Sequence, residues 1–182
     1  KMAQNPLNLP SFFENGNLRA VIEIPAGTNK KFEIDKNSGE IRIDIRDGKP
    51  RMVHFLPYPI NYGFVAGTKM DKSRGGDGDP IDVLVIAESL PSGSVLEVIP
   101  VGLLKMSDLG ELDHKVLAIP ADENLRTLQV VDFQVLRSNF PGVLKIIATF
   151  FQQYDGIGTT KILGWADEKR AIREVEKWSF QK

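Results

Sequence analysis

The chain contains no cysteine. Disulfides, zinc–thiolate sites and thiol catalysis are therefore excluded. It has only two histidines, His54 and His114, too few for a multi-histidine metal centre. A metal here would need oxygen ligands, which favours hard divalent cations such as magnesium, calcium or manganese. No apolar run approaches the roughly 18 residues that a membrane-spanning helix requires, so no membrane partner is expected. Neither charge dominates: 23 Lys and Arg face 24 Asp and Glu, for a net charge of −1. That balance argues against a general nucleic-acid binder. A Walker loop, a GxGxxG fingerprint, internal repeats and low-complexity tracts are absent as well.

What is present is an ordinary globular composition over 182 residues, 42% of them hydrophobic, enough for one domain with a substantial core. We expect a single domain over residues 1–182, preceded by an extended arm at about 1–16 that is marked by Pro6, Pro10 and Gly16. Because Lys1 precedes Met2, an export signal removed upstream stays open, and cytoplasmic localisation is only the default.

Strand patterns come first. Residues 19–24 are rich in β-branched side chains and end at Pro25, and residues 31–35 alternate polar and apolar. Residues 40–45 alternate with period two, setting Ile41, Ile43 and Ile45 on one face. Asp47-Gly48 predicts a type I′ hairpin turn, with residues 51–55 as the returning strand. Residues 57–63, with two prolines and two tyrosines, read as a rigid aromatic loop, and residues 69–76 as a charged surface loop. Further strands are expected at 82–87, within 94–105 (one or two) and at 115–119. Helices come late. Pro141 marks one start, with Leu144, Ile147, Ala148 and Phe151 on its apolar face. Asp167 is placed to cap the last helix, which turns Ala171, Ile172, Val175 and Trp178 or Ser179 inward. Strands followed by helices predict an α+β fold: an antiparallel sheet or closed barrel with helices packed outside it.

The most informative segment is Asp77-Gly78-Asp79-Pro80-Ile81-Asp82, just before an apolar strand. In extended backbone Asp77 and Asp79 point the same way. Carboxylates this close repel unless a positive charge, most simply a divalent cation, lies between them. Alone, the segment reads equally as a solvated acidic turn, although EF-hand spacing is absent. Further acids follow at Asp108 and Asp113, and Glu23 lies inside an apolar strand, where the alternation favours an outward-facing side chain. Lys31, Arg51 and Lys115 lie at strand starts or edges; Tyr58 and Tyr62 flank Asn61; Tyr154 suits a core as well as a site.

Taken in order, these residues resemble the soluble family I inorganic pyrophosphatases. The resemblance runs from about Leu18 to about Trp165. Its anchors are Val21-Ile22-Glu23-Ile24-Pro25, Lys31-Phe32-Glu33-Ile34-Asp35, Asn61-Tyr62-Gly63, the D-G-D-P-x-D-V-L block from Asp77, Val101-Gly102-Leu103-Leu104-Lys105-Met106 and Gly164-Trp165. It implies an OB-like barrel with a five-stranded core and Mg²⁺-dependent hydrolysis of pyrophosphate by a metal-bound water, with several ions per site and Mn²⁺ as a substitute. By match, Asp77, Asp82, Asp108, Asp113, Glu23 and Glu33 are the metal ligands, and Asp79 is the general base. Lys31, Arg51, Tyr62, Lys115 and Tyr154 bind phosphate, with Tyr58 behind them. The resemblance also implies a homo-oligomer, with a hexamer favoured.

There are two departures. The loop from Arg46 to His54 differs in length, which leaves Arg46 as a rival to Arg51. The family usually has Tyr-Lys where this chain has Tyr154-Asp155, followed by a short loop over 156–160, with Lys161 or Lys145 as candidate replacements. The alternative functions are a metal-dependent phosphohydrolase of nucleotides or polyphosphate, and a non-catalytic module of the same fold.

Overall fold

In the computed structural model, residues 4–180 are described. The strands are β1 (Leu18–Ile24), β2 (Phe32–Ile34), β3 (Ile41–Ile43), β4 (Ile45–Arg46), β5 (Lys49–Pro50), β6 (Asn61–Val65), β7 (Asp82–Val85), β8 (Val95–Asp108), β9 (Glu111–Leu112) and β10 (Lys115–Pro120). Helices α1 (Phe133–Asn139) and α2 (Pro141–Gln153) follow, then strand β11 (Thr160–Ala166) and helix α3 (Glu168–Trp178).

The sheet runs β1-β6-β7-β10-β8-β11, and β1 also pairs with β8, so β1, β6, β7, β10 and β8 close into a ring. The expected closed arrangement of five mostly antiparallel strands is thus present, with one parallel pair, β7 and β10. One face of all five ring strands shares a cluster that includes Leu18, Ile22, Val65, Val83, Leu103 and Val116, closed by Ala171, Val175 and Trp178 of α3. A second cluster joins Leu84, Leu104 and Leu117 to Leu144, Ile147, Phe150 and Phe151 of α2. Each fully buried aliphatic side chain contributes about 1.5–3 kcal/mol.

Asp167 caps α3 as expected, its carboxylate accepting from Arg170 N at 2.9 Å. Glu174 rather than Ile172 is the further inward residue, held by Trp178 Nε1 at 2.8 Å. The Asp47-Gly48 turn has both residues at positive φ, 52° and 72°, as a type I′ turn demands.

Several expectations need correction. The returning strand is Lys49–Pro50 rather than 51–55, and strand β3 ends at Ile43, leaving Ile45 on the next strand exposed. The strand expected within 94–105 is one long strand that continues to Asp108. Residues 57–63 are not wholly a loop, since β6 begins at Asn61. Asn61 is a buried strut: its side chain donates to Glu88 O at 2.8 Å and accepts from Ala26 N at 3.0 Å and Leu90 N at 2.8 Å. The expected arm carries a 3₁₀ turn, Pro6–Asn8, and lies against the sheet, with Gly67 N donating to Leu7 O at 3.1 Å. Lys1 and Met2, on which the question of an upstream signal turned, lie outside the described residues.

Candidate active site

The ring places its polar cluster at the start of β7 and β10. These strands run parallel with Asp82 opposite Lys115, so the two side chains leave the sheet together. Lys115 is 1% exposed. Its ammonium lies 2.6 Å from Asp82 Oδ2 and 2.7 Å from Asp113 Oδ1. Tyr62 of β6 donates its hydroxyl to the same Asp82 Oδ2 at 2.5 Å. The rings of Tyr62 and Phe151 flank the Lys115 ammonium at 5.3 and 5.4 Å. Burial alone would weaken Lys115 as a base-bound cation, but Asp113 and Asp82 outweigh it and hold its proton more tightly than usual. Burial pushes the Asp113 carboxyl up to about 6 against the opposing pull of Lys115.

Glu23 shows how the backbone builds a site. The β1–β6 register shifts between Ile22, opposite Gly63, and Ile24, opposite Tyr62. β1 is covered on both faces, with Ile22 in the ring cluster and Val21, two residues before Glu23, packed with Ile34 of β2, so Ile22, Glu23 and Ile24 are all buried, at 0%, 7% and 2% exposure. The outward orientation suggested by the strand pattern is therefore wrong. Gly63 makes the close approach possible, because a Cβ there would stand 1.8 Å from Val21 O. Glu23 Oε1 accepts from Ile34 N at 2.9 Å. Burial lifts its carboxyl to about 8, with Asp82, Glu33 and Asp79 adding to the effect of burial.

The D-G-D segment is a turn, not an extended pair. Gly78 has φ +91°, and Asp77 Oδ1 accepts from Asp79 N at 2.8 Å. Gly76 lies against Met70, where a Cβ would meet backbone at 2.5 Å. The turn leaves Asp79 facing a cleft of about 190 Å³, lined also by Glu23, Lys31, Glu33, Arg51, Tyr62 and Asp82. Burial raises the Asp77 carboxyl.

At the other end of the cleft, Arg51 Nη1 donates to Asp44 Oδ2 at 3.3 Å, while the rival Arg46 is exposed on its hairpin. The Lys31 ammonium stands 5.2 Å above the Tyr154 ring. Burial and then the neighbouring Arg51 loosen its proton. Tyr154 stacks on Phe150 at 5.3 Å between ring centres and meets Tyr58 at 6.0 Å. Burial raises the Tyr154 hydroxyl to about 12 and holds those of Tyr58 and Tyr62 above their ordinary range. Tyr58 is 1% exposed, so its hydroxyl does not face solvent.

Of the residues singled out by sequence, Glu23, Lys31, Glu33, Arg51, Tyr62, Asp79 and Asp82 line the cleft, and Asp113 and Lys115 join it through Asp82. Asp77 adjoins through Asp79, and Tyr154 through Lys31. Asp108 stands apart at the end of β8, where Thr160 Oγ1 donates to it at 3.1 Å. Lys161 and Lys145 are exposed and do not line the cleft. Two cleft residues went unread in the sequence. Asp44 holds Arg51 across the short hairpin, and Lys36 pairs with Asp79 from 43 residues away; only the position of Lys36 directly after the 31–35 anchor hinted at a role.

Among the described residues, no three His, Asp or Glu side chains stand together in metal-holding geometry. The donor chemistry fits a divalent cation all the same. Every candidate is a carboxylate oxygen, and Glu23, Asp77 and Asp113 are each partly or wholly buried and each feel the charge of Asp82, with Lys115 offsetting it at Asp113.

Comparison with known proteins points the same way. The family described as inorganic pyrophosphatase matches residues 20–181. The inorganic pyrophosphatase of Campylobacter jejuni is 36% identical over 171 residues, covering 88% of this chain and 88% of its own length. The solved structure of the Thermus thermophilus inorganic pyrophosphatase superposes with a TM-score of 0.80 at 32% identity, covering 95% of each chain. That of the Helicobacter pylori enzyme gives 0.78 at 34% identity, covering 93% of this chain and 95% of that one.

Proposed function

The chain belongs to the inorganic pyrophosphatase family, and from that premise we propose how this cleft hydrolyses pyrophosphate to two phosphates. The observation that carries the reading is that Asp79, Glu23 and Asp82 line one cleft together with Lys31 and Arg51.

Dependence on divalent metal belongs to the family; Mg²⁺ as the ion used here is our proposal. Asp77, Asp82 and Asp113, with Asp108, Glu23 and Glu33, are the candidate ligands. When bound, the ion supplies charge neutralisation of the phosphate oxygens and activation of water. Asp79 orients the attacking water and accepts its proton. Its pairing with Lys36 is half-exposed on both sides, so solvent screening makes it cheap to displace. Lys31 and Arg51 hold the departing phosphate and offset the charge that grows on it. Tyr62, Lys115 and Tyr154 complete that grip, and Tyr58 supports Tyr154 from behind. Lys115 also fixes Asp82 and Asp113 relative to each other, so two candidate ligands are positioned before any ion arrives. No covalent intermediate is required.

We read residues 1–182 as one catalytic domain. The homo-oligomer, with a hexamer favoured, is likewise a proposal, tested by light scattering. No helix among the described residues is long and apolar enough to cross a membrane. Substrate is tested with a panel of pyrophosphate, tripolyphosphate and nucleoside triphosphates at equal Mg²⁺. Release of phosphate should favour pyrophosphate strongly; equal rates across the panel would replace this reading with a broader phosphohydrolase.

A further inference from the structure

Asp155 follows Tyr154 at the end of α2, and its carboxylate stands 3.5 Å from Arg51 Nη2. Arg51 Nη1 faces Asp44 at 3.3 Å. The guanidinium at this end of the cleft is therefore flanked by carboxylates on both nitrogens. The turn after α2 is closed by backbone, Gly156 N donating to Gln153 O at 3.1 Å, so the turn itself does not call for an acid at 155. The carboxylate also acts on Lys31. Burial and Arg51 loosen the Lys31 proton, and Asp155 works in the opposite direction. One acid thus touches the field of both cations that face the cleft from this side.

A phosphate binds a guanidinium best through two parallel N–H donors. To do so here it must displace a carboxylate from Arg51 and then remain beside that carboxylate's charge. We infer that Asp155 sets the affinity of the cleft: its negative charge beside Arg51 and Lys31 weakens the hold on phosphate, for substrate and product alike. This rests on reading the cleft as a pyrophosphate site. The Asp155 side chain is 56% exposed, so solvent screening keeps the effect modest, about 2- to 5-fold in affinity.

The test uses Asp155→Asn, Asp155→Lys and Asp155→Glu in the full chain at constant Mg²⁺. Two quantities are read for each: KM for pyrophosphate, and the dissociation constant of inorganic phosphate by calorimetry, which needs no turnover. Both should fall about 2- to 5-fold in Asp155→Asn and further in Asp155→Lys, with kcat unchanged or lower. Asp155→Glu should keep the parent values. Parent-like constants in both Asn and Lys variants would overturn the inference, as would a Glu variant shifted as far as the Asn variant. Failure of the functional reading looks different. If the parent released no phosphate from pyrophosphate while Asp155→Asn still bound inorganic phosphate more tightly, the role of Asp155 would stand and the substrate would be wrong.

Discussion

Lys115 stands opposite Asp82 in the parallel register of β10 and β7, with its ammonium 2.6 Å from the carboxylate and another 2.7 Å contact to Asp113. The residue is almost wholly buried, so the pair is held in a medium where losing one partner strands the other's charge.

Replacing Lys115 with methionine should therefore lower stability by about 3–5 kcal/mol in the presence of chelator. Added Mg²⁺ should restore part of the loss, because the stranded carboxylates gain a cation. Thermal melts with and without Mg²⁺ read this; a melting temperature within two or so degrees of the parent in chelator would contradict the structural role of the ammonium.

Asp79 faces the cleft and its pairing with Lys36 is half-exposed, so it contributes little to the fold. Asp79→Asn should lower kcat by about 10²-fold or more while leaving the melting temperature unchanged. Turnover within a few-fold of the parent would remove Asp79 as the proton acceptor.

Glu23 gives the protein a pH dependence in chelator. Burial raises its carboxyl from 4.5 to about 8, so the folded state binds this proton more tightly than the unfolded chain. The stabilising contribution is complete below about pH 4.5 and is lost as pH rises through 8. The melting temperature of the chelated parent should therefore decline over that window relative to Glu23→Gln, whose side chain cannot ionise. Parallel profiles for the two proteins would show that Glu23 does not carry the effect.

The position of the acidic segment at the cleft was legible because it is local: the D-G-D-P-x-D spacing is a property of six adjacent residues, and the Asp167 cap and the Asp47-Gly48 turn are equally short-range. The orientation of Glu23 was not. Its burial depends on β2, where Ile34 packs on Val21 and donates its N–H to Glu23, and such a cover belongs to a strand's neighbours rather than to the strand. Strand β6 was obscured by the prolines just before it, although Asn61 enters the sheet two residues after Pro59. Strand β11 was missed for a related reason, since its glycine at 164 breaks the alternation and its pairing with β8 shifts register there. Arg51 could not be separated from Arg46 by sequence; the short hairpin between them turns Arg46 to solvent and brings Arg51 back beside Asp44.

The most direct test of the central claim is phosphate release from pyrophosphate by the purified chain, measured in Mg²⁺, after chelation and after Mg²⁺ is restored. Turnover in Mg²⁺, its loss in chelator and its recovery on re-addition are expected. Full turnover in excess chelator, or none in Mg²⁺, would contradict the account.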